Sequence, residues 1–218
     1  MIIPAIIPTS RHALDSQLDA VSSVARQVQV DIVDGIFATP TSWPYICEDV
    51  AGALVGLDFR STAVELDLMV KDPEGTLDMW LATHPAKMVV HVESTNNLNR
   101  VIEHANRHAY QLGLAFNNDT SLDVLAVLDR RSFDYVQLMG IATIGTQGQP
   151  FDERVIDRIL FLKKTYPDLP IQIDGSVNME TISKLRRAGA DLLVAGSAIF
   201  ADPYPENAYR ALAERAML

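Results

Sequence analysis

Short apolar runs alternate with helical patterns from one end of the chain to the other. The runs are rich in Ile, Val and Leu and are bounded by Gly, Pro, Asp or Asn, which is typical of buried strands. They predict eight strands, at Ile2–Ile7, Val28–Val33, Ala63–Val70, Met88–Val92, Leu112–Phe116, Tyr135–Ile141, Ile171–Ile173 and Leu192–Ala195.

Between these runs, apolar residues recur at intervals of three or four, as they do on one face of a helix. A further helix is expected to begin after Asp72, with Asp72 as its cap and Pro73 at its first position, where the fixed φ of proline fits. The other patterns predict helices at Leu14–Val24, Ile46–Leu57, Leu98–Ala105, Leu122–Leu128, Val155–Leu162, Met179–Leu185 and Pro205–Met217.

Strands that alternate with helices form parallel sheets, because each helix carries the chain back to the start of the next strand. An open, doubly wound sheet is one possible arrangement. Eight strand–helix units in 218 residues favour a closed sheet instead. The sequence therefore predicts an α/β protein, a single (β/α)₈ TIM barrel that forms one domain over residues 1–218.

Composition narrows the possible partners and locations. The formal net charge of −10 argues against nucleic acid or a membrane surface as a partner. Cys47 is the only cysteine, so the chain can form no internal disulfide, which fits a reducing compartment. No apolar run has the roughly 20 residues that a membrane helix needs. The expected location is the cytoplasm.

Polar residues cluster at the predicted carboxyl ends of the strands. A carboxylate in a buried parallel strand is costly unless something binds it, so a functional site is the favoured interpretation. Structural roles remain open for three of these residues: Asp34 as a turn cap, Glu65 as a partner within the barrel, and His91 as a core histidine. The set consists of Gln29, Asp31, Asp34, Glu65, Asp67, His91, Glu93, Asn117, Asn118 and Asp174.

The last two strands each end in a Gly-Ser turn. Gly175-Ser176 follows the seventh strand, and Gly196-Ser197 follows the eighth. Barrels often bind phosphate at these two loops through backbone N–H groups, and glycine allows the backbone to approach the ligand closely. The pair of turns predicts a phosphate site.

Several motifs in this order resemble the ribulose-phosphate 3-epimerase family, from Ile3 to about Asp202. The resemblance implies a barrel of the ribulose-phosphate-binding type and an epimerase or isomerase of a ketose phosphate. It also implies a homo-oligomer. The motifs are Asp31-Ile32-Val33-Asp34-Gly35-Ile36-Phe37, Leu68-Met69-Val70, His91-Val92-Glu93, Gly148-Gln149-Pro150-Phe151, Ile173-Asp174-Gly175-Ser176-Val177 and Ala195-Gly196-Ser197-Ala198-Ile199-Phe200.

The resemblance assigns roles to particular residues. Asp31 and Asp174 correspond to the acid/base pair, which transfers a proton at the carbon next to the ketone through an enediolate. The family also holds a divalent metal. The predicted substrate-binding residues are Met69, His91, Gly148, Gly175, Ser176, Gly196 and Ser197.

The chain departs from the family pattern where the metal would bind. The two family histidines are replaced by Gln29 and Asp67, so the candidate ligands are Gln29, Asp31, Asp67 and Asp174. Of the possible ions Mg²⁺, Mn²⁺, Fe²⁺ and Zn²⁺, an all-oxygen set suits Mg²⁺ or Mn²⁺ best. The same set is also compatible with no metal.

Two other departures bear on the substrate. The early family serine falls at Pro8, and the loop Gly140–Gln149 lacks the usual Asn-Pro-Gly. The loss of both family histidines leaves open a sugar-phosphate-binding protein without catalysis, and the changed loop leaves open a lyase acting on another phosphorylated substrate. A decarboxylase of the related barrels is disfavoured, because Met69 stands where its lysine belongs.

Overall fold

Eight parallel strands close into a barrel, as predicted, in the order β1 to β8 with β8 paired to β1. The computed structural model describes residues 1–59, 61–108 and 110–217. The strands are β1 Ile2–Ile6, β2 Gln27–Val33, β3 Ala63–Met69, β4 Lys87–His91, β5 Gln111–Phe116, β6 Tyr135–Met139, β7 Ile171–Asp174 and β8 Leu192–Ala195.

Helices follow the strands and cover the outside of the barrel. They are α1 Arg11–Val21, α2 Val50–Ala53, α3 Leu77–Leu81, α4 Leu98–His108, α5 Arg154–Thr165, α6 Ile182–Ala188, α7 Ser197–Phe200 and α8 Pro205–Arg215. Three 3₁₀ segments, Pro73–Gly75, Leu122–Val127 and Arg130–Ser132, complete the described helical structure.

One predicted helix is much shorter in the structure, and another predicted α-helix is a 3₁₀ helix. The predicted helix Ile46–Leu57 is reduced to α2, because glycines at positions 52 and 56 weaken it and Gly56 has a positive φ of 73°. The prediction of an α-helix over Leu122–Leu128 is also wrong, since this segment is a 3₁₀ helix.

Two predicted helix starts also need correction. Asp72 does not cap a helix with its side chain: its φ is 52°, and its carboxylate accepts from Asn96 instead. Met179 lies before α6, because the Asn178 side chain accepts the N–H groups of Glu180 and Thr181 and delays the helix.

Successive side chains of each strand point alternately toward the helices and into the barrel, which gives the sheet two buried faces. In β2, Val28, Val30 and Ile32 join the apolar core between the sheet and the helices. Their neighbours Gln29 and Asp31 face the inside of the barrel, since side chains alternate across a strand. All seven residues of β2 are buried. The structure thus has an apolar outer core and a barrel interior that is strongly polar around β2.

Among the described helices, none combines the length and the apolar character that crossing a membrane would require.

Candidate active site

Buried amide side chains link the strands across the barrel interior. The Gln172 Nε2 atom lies 2.5 Å from Glu65 Oε1, 2.8 Å from Gln137 Oε1 and 3.1 Å from Gln29 Oε1. Tyr135 donates its hydroxyl to Glu65 Oε2 at 2.5 Å. These contacts give Glu65 the partners that a buried carboxylate needs, so Glu65 has a structural role within the barrel layers.

Gln29 joins the two aspartates that the sequence predicts as the acid/base pair. Its Nε2 atom donates to Asp31 Oδ1 at 2.8 Å and to Asp174 Oδ2 at 2.6 Å. The Gln29 Oε1 atom is already used, because it accepts from Gln172. In this arrangement Gln29 therefore offers hydrogen-bond donors to the carboxylates and holds them in one place.

Both aspartates resist losing their protons. Burial raises the pKa of the Asp174 carboxyl to about 7, with the nearby Asp67 charge acting in the same direction. Burial also raises the pKa of the Asp31 carboxyl well above its ordinary value, helped by the charges of Asp174 and Asp67. A pair with raised pKa values can hold one proton near neutral pH, which is the state that acid/base catalysis needs.

Asp67 lies beside a histidine that is completely buried. His91 Nε2 is 3.3 Å from Asp67 Oδ1, and His91 Nδ1 is 3.8 Å from Glu93 Oε2. Burial alone would lower the pKa of the His91 imidazole, but the charges of Asp67 and Glu93 outweigh it and raise the pKa to about 10. These are ion-pair distances without hydrogen-bond alignment, so Asp67 Oδ1 has no donor among the described residues.

A cavity of about 350 Å³ opens at the carboxyl ends of the strands. Its floor includes Asp31 and Asp174, and Met69 and Met139 form apolar parts of its wall. The remaining lining comes mostly from the loops after β6, β7 and β8, and includes Gly145, Thr146, Gln147, Gly148, Gln149, Gly175, Ser176, Asn178, Gly196 and Ser197.

The backbone after β7 is held in an unusual conformation. Gly175 has a φ of 100° and Ser176 a φ of 55°, both in the left-handed region. Ser176 is not a glycine, so its conformation depends on surrounding contacts. Its hydroxyl donates to the Gln149 carbonyl, and its own carbonyl accepts from Thr181. The turn is therefore fixed against the loop on the other side of the cavity.

The loop after β6 reaches across the cavity to the end of β8. Gln147 donates its amide to the Ala5 carbonyl at 3.1 Å. The side chain lies so close to Gly196 that a Cβ atom there would be 2.2 Å from Gln147 Nε2. Gly196 thus makes room for the Gln147 carboxamide at the rim of the predicted phosphate site.

Most of the residues predicted for the site come together. Asp31, Asp174 and all the predicted substrate-binding residues except His91 line the cavity. His91 lies behind Asp67 and would act on a ligand only through it. Asp34 is a turn cap: one oxygen accepts from the Ile36 and Phe37 N–H groups, and the other accepts from the backbone N–H of Lys71.

The Ribulose-phosphate 3 epimerase family matches residues 1–200 of the chain. The chain belongs to this family. The predicted membership is confirmed, and with it the predicted class, isomerases that act on carbohydrates.

Named relatives agree with this assignment. A ribulose-phosphate 3-epimerase of Eremothecium gossypii is 26% identical over 214 residues and is aligned with 92% of this chain and 88% of its own length. One of Bacillus subtilis is 28% identical over 208 residues, with 91% of each chain aligned. The similarity therefore extends over nearly the whole barrel.

A solved structure confirms the fold at lower identity. The 3-keto-L-gulonate-6-phosphate decarboxylase of Vibrio cholerae is 13% identical, and the comparison covers 100% of this chain and 97% of the other with a TM-score of 0.74. At this identity the likeness concerns the fold alone.

Ribulose-phosphate 3-epimerases use a divalent metal, and three carboxylates of this family member could hold one. Oxygens of Asp31, Asp67 and Asp174 lie within 4.8 Å of one another, and all three carboxyl groups are buried. Asp67 Oδ1 accepts no aligned hydrogen bond among the described residues, with His91 Nε2 3.3 Å away, and Asp67 Oδ2 accepts from Gln137, so the carboxylate keeps lone pairs for a cation. Oxygen ligands suit a hard ion. The donor set therefore fits a divalent cation, with Gln29 as a donor to two ligands.

Sequence reasoning missed several parts of this site in the family member. It did not predict Tyr135, Gln137, Gln172 or Gln27, whose amide donates to Glu65 Oε2 at 3.1 Å, although polar residues in buried strands are a signal for such contacts. Gln147 lay in a loop whose path could not be deduced from periodicity.

Proposed function

We propose that this family member interconverts epimers of a ketose phosphate by moving a proton at the carbon next to the ketone. The observation that carries the proposal is the position of Asp31 and Asp174: both line one cavity, and one amide of Gln29 holds both carboxylates. The family membership supports ribulose phosphate as the first substrate to test.

The two aspartates would share the proton transfer. One carboxylate removes the proton from carbon, which leaves an enediolate, and the other carboxyl group delivers a proton to the opposite face. After one turnover the proton has changed sides, so either direction starts from a pair with a single proton. Without a bound ion, burial raises the pKa of both carboxyl groups, so the pair can hold a proton near pH 7.

The substrate phosphate would bind at the other end of the cavity. Gly175, Ser176, Gly196 and Ser197 line this end, and backbone N–H groups are the usual phosphate donors of such barrels. The Gln147 amide, near Gly196, lies where it can supply a further donor. A phosphate bound there places the sugar chain toward Asp31 and Asp174.

We assign the metal site to Asp31, Asp67 and Asp174, with Mg²⁺ or Mn²⁺ as the expected ion. When bound, such an ion supplies positive charge that stabilises a developing enediolate. His91 holds Asp67 from behind, which keeps that carboxylate pointed at the same place as the other two. Gln29 orients Asp31 and Asp174.

The direct test is exchange of solvent deuterium into ribulose 5-phosphate, followed by NMR in the presence of Mg²⁺ or Mn²⁺. The wild-type protein is expected to exchange the proton at the carbon next to the ketone. Asp31→Asn and Asp174→Asn should each lower the rate by about 10²-fold or more, since each removes a proton-transfer group. Glu180→Gln, an exposed carboxylate nearby that does not line the cavity, is the matched control.

The same assay separates the proposal from the binding-protein alternative. Tight binding of ribulose 5-phosphate with no exchange at any tested metal concentration would refute catalysis and support a binding protein. Cleavage of a carbon–carbon bond, seen as two smaller products that together contain all the substrate atoms, would instead support a lyase.

A further inference from the structure

A second group of ligating side chains lies on the outside of the barrel, far from the cavity. His104 and His108 are four residues apart in the last turns of α4, so both rings project from one face of the helix. Asp78 of α3 meets them from the neighbouring element. One nitrogen of each histidine and one oxygen of Asp78 lie within 4.8 Å of one another.

The spacing within this group matches that of ligands around a single ion. His104 Nε2 is 3.0 Å from Asp78 Oδ1. Two ligands at about 2.0 Å from a tetrahedral ion are about 3.3 Å apart. The rings of His104 and His108 have centroids 4.5 Å apart, which brings the second imidazole to the same place. All three ligating atoms lie within 4.8 Å of one another, so rotation of the exposed Asp78 and His108 side chains can close them around an ion.

Tyr110 fixes the orientation of the inner histidine. Its hydroxyl lies 3.1 Å from His104 Nδ1, so this nitrogen is engaged and Nε2 is left for Asp78 or a metal. Histidines that bind metals are usually held in this way through their second nitrogen. The His104 ring is buried beside Tyr110, which preorganises one ligand of the group.

The group is open to solvent on its other side. The Asp78 side chain is 88% exposed, and His108 is exposed as well. Both residues border a surface cavity of about 510 Å³, together with Tyr110 and His84. His84 is engaged elsewhere, since its Nδ1 lies 3.4 Å from Asp58. An ion can therefore enter, and water can complete its coordination.

We propose that Asp78, His104 and His108 form a binding site for a divalent transition-metal ion of the Zn²⁺ type. Two imidazoles and one carboxylate select Zn²⁺, Co²⁺ or Ni²⁺ over Mg²⁺, which prefers oxygen ligands. In this respect the site differs from the all-oxygen group of Asp31, Asp67 and Asp174.

The location indicates a structural ion. Ala86 and Tyr110 border the surface cavity and directly precede β4 and β5, so the site lies at the amino ends of the strands, opposite the sugar-phosphate cavity. An ion there would tie α3 to α4. It would stabilise the folded protein by mass action, because the unfolded chain does not hold the three ligands together.

Zn²⁺ alone is the probe, with binding measured by calorimetry and the melting temperature by circular dichroism. Wild-type protein is expected to bind Zn²⁺ here and to melt at a higher temperature with Zn²⁺ than with a chelator. His108→Ala and Asp78→Asn should each weaken this binding by at least about tenfold and abolish the gain in melting temperature. Tyr110→Phe should weaken it by about tenfold through loss of the His104 orientation.

His84→Ala is the matched control, because it removes a histidine of the same cavity that is not in the ligand set. Asp67→Asn should leave the surface binding intact, which separates it from any Zn²⁺ bound inside the barrel. Metal-free His108→Ala should melt like the metal-free wild type, since His108 is exposed. Unchanged Zn²⁺ stoichiometry and affinity in His108→Ala and Asp78→Asn would overturn the proposal, as would a wild type that binds no Zn²⁺.

Discussion

Gly196 shows how one absent side chain shapes the cavity. The Gln147 carboxamide fills the space in front of it and donates to the Ala5 carbonyl of β1. A larger residue at position 196 would have to displace that carboxamide, which is the far end of a flexible side chain. We expect the fold to tolerate this displacement, but we expect the displaced carboxamide to weaken binding of the substrate phosphate.

We therefore expect Gly196→Ala to weaken sugar-phosphate binding by about tenfold, equivalent to about 1.4 kcal/mol, with little change in stability. The measurements are ribulose 5-phosphate affinity and urea unfolding. Gly75→Ala is the control, since a Cβ at Gly75 meets open space. If the clash with Gln147 is the cause, Gly196→Ala should cost no further affinity in a Gln147→Ala background, where the carboxamide is gone. Full affinity in Gly196→Ala alone would contradict it.

At the scale of strands, polar side chains inside the barrel join elements that are far apart in sequence. Tyr135 of β6 donates to Glu65 of β3, and Gln172 of β7 donates to the same carboxylate. Burial raises the pKa of the Glu65 carboxyl, and these donors act against that rise. Each donor therefore keeps a buried acid from being left without partners.

Tyr135→Phe should lower the free energy of unfolding by about 1–3 kcal/mol, the cost of leaving a buried acceptor short of one donor. Urea denaturation gives this quantity directly. Tyr204→Phe removes the same hydroxyl from a side chain that is 69% exposed, and should change stability very little. Equal effects of the two substitutions would mean that the Glu65 contact contributes nothing.

Glu93 links β4 to the loop after β5 and gives the structure a predictable dependence on pH. Its Oε1 atom accepts from the Asn117 N–H at 2.8 Å. Burial would raise the pKa of the Glu93 carboxyl, but hydrogen bonds and the His91 charge lower it below 4.5. A lowered pKa means that the carboxylate stabilises the fold above pH 4.5, and that this contribution is lost as the pH falls through the lowered value.

Glu93→Gln should therefore destabilise the protein by about 1–2 kcal/mol at neutral pH, with the deficit shrinking as the solution is made more acidic. Unfolding free energies of wild type and variant, measured in urea at several pH values, test this. Glu103→Gln, an exposed carboxylate of α4, should show no such trend. A deficit that grows toward low pH would have the wrong sign.

At the scale of the whole molecule, the barrel is closed only because β1 pairs with a strand at each of its edges. This strand pairs with β2 and with β8, and all five of its residues are buried. Ile6 is fully buried in the core between the sheet and the helices. A substitution that removes packing at Ile6 should therefore destabilise the strand pairing that closes the barrel.

We expect Ile6→Ala to cost about 2–5 kcal/mol through the cavity that it leaves. Because the barrel is one closed sheet, loss of tryptophan fluorescence and loss of helical circular dichroism should shift together to lower urea concentration. Ile36→Ala is the control, since Ile36 is 74% exposed. A shift in only one of the two signals would argue against a single cooperative unit.

The sequence alone determined the barrel, the position of its strands, the family, and the aspartates and Gly-Ser turns that border the cavity at the strand ends. These features are local: alternation, turn residues and short motifs all lie within a few neighbouring positions. Strand ends converge in any closed parallel barrel, so Asp31 and Asp174 could be placed together before any contact was known.

The tertiary structure decided which partners these residues have. Gln29 and Gln172 are 143 positions apart, and Gln147 and Ala5 are 142 apart. No periodicity connects such pairs, because their contact depends on side-chain length and rotamer across the closed barrel. For the same reason only the structure showed that Gln29 donates to the two aspartates, and that His91 stands behind Asp67 rather than in the cavity.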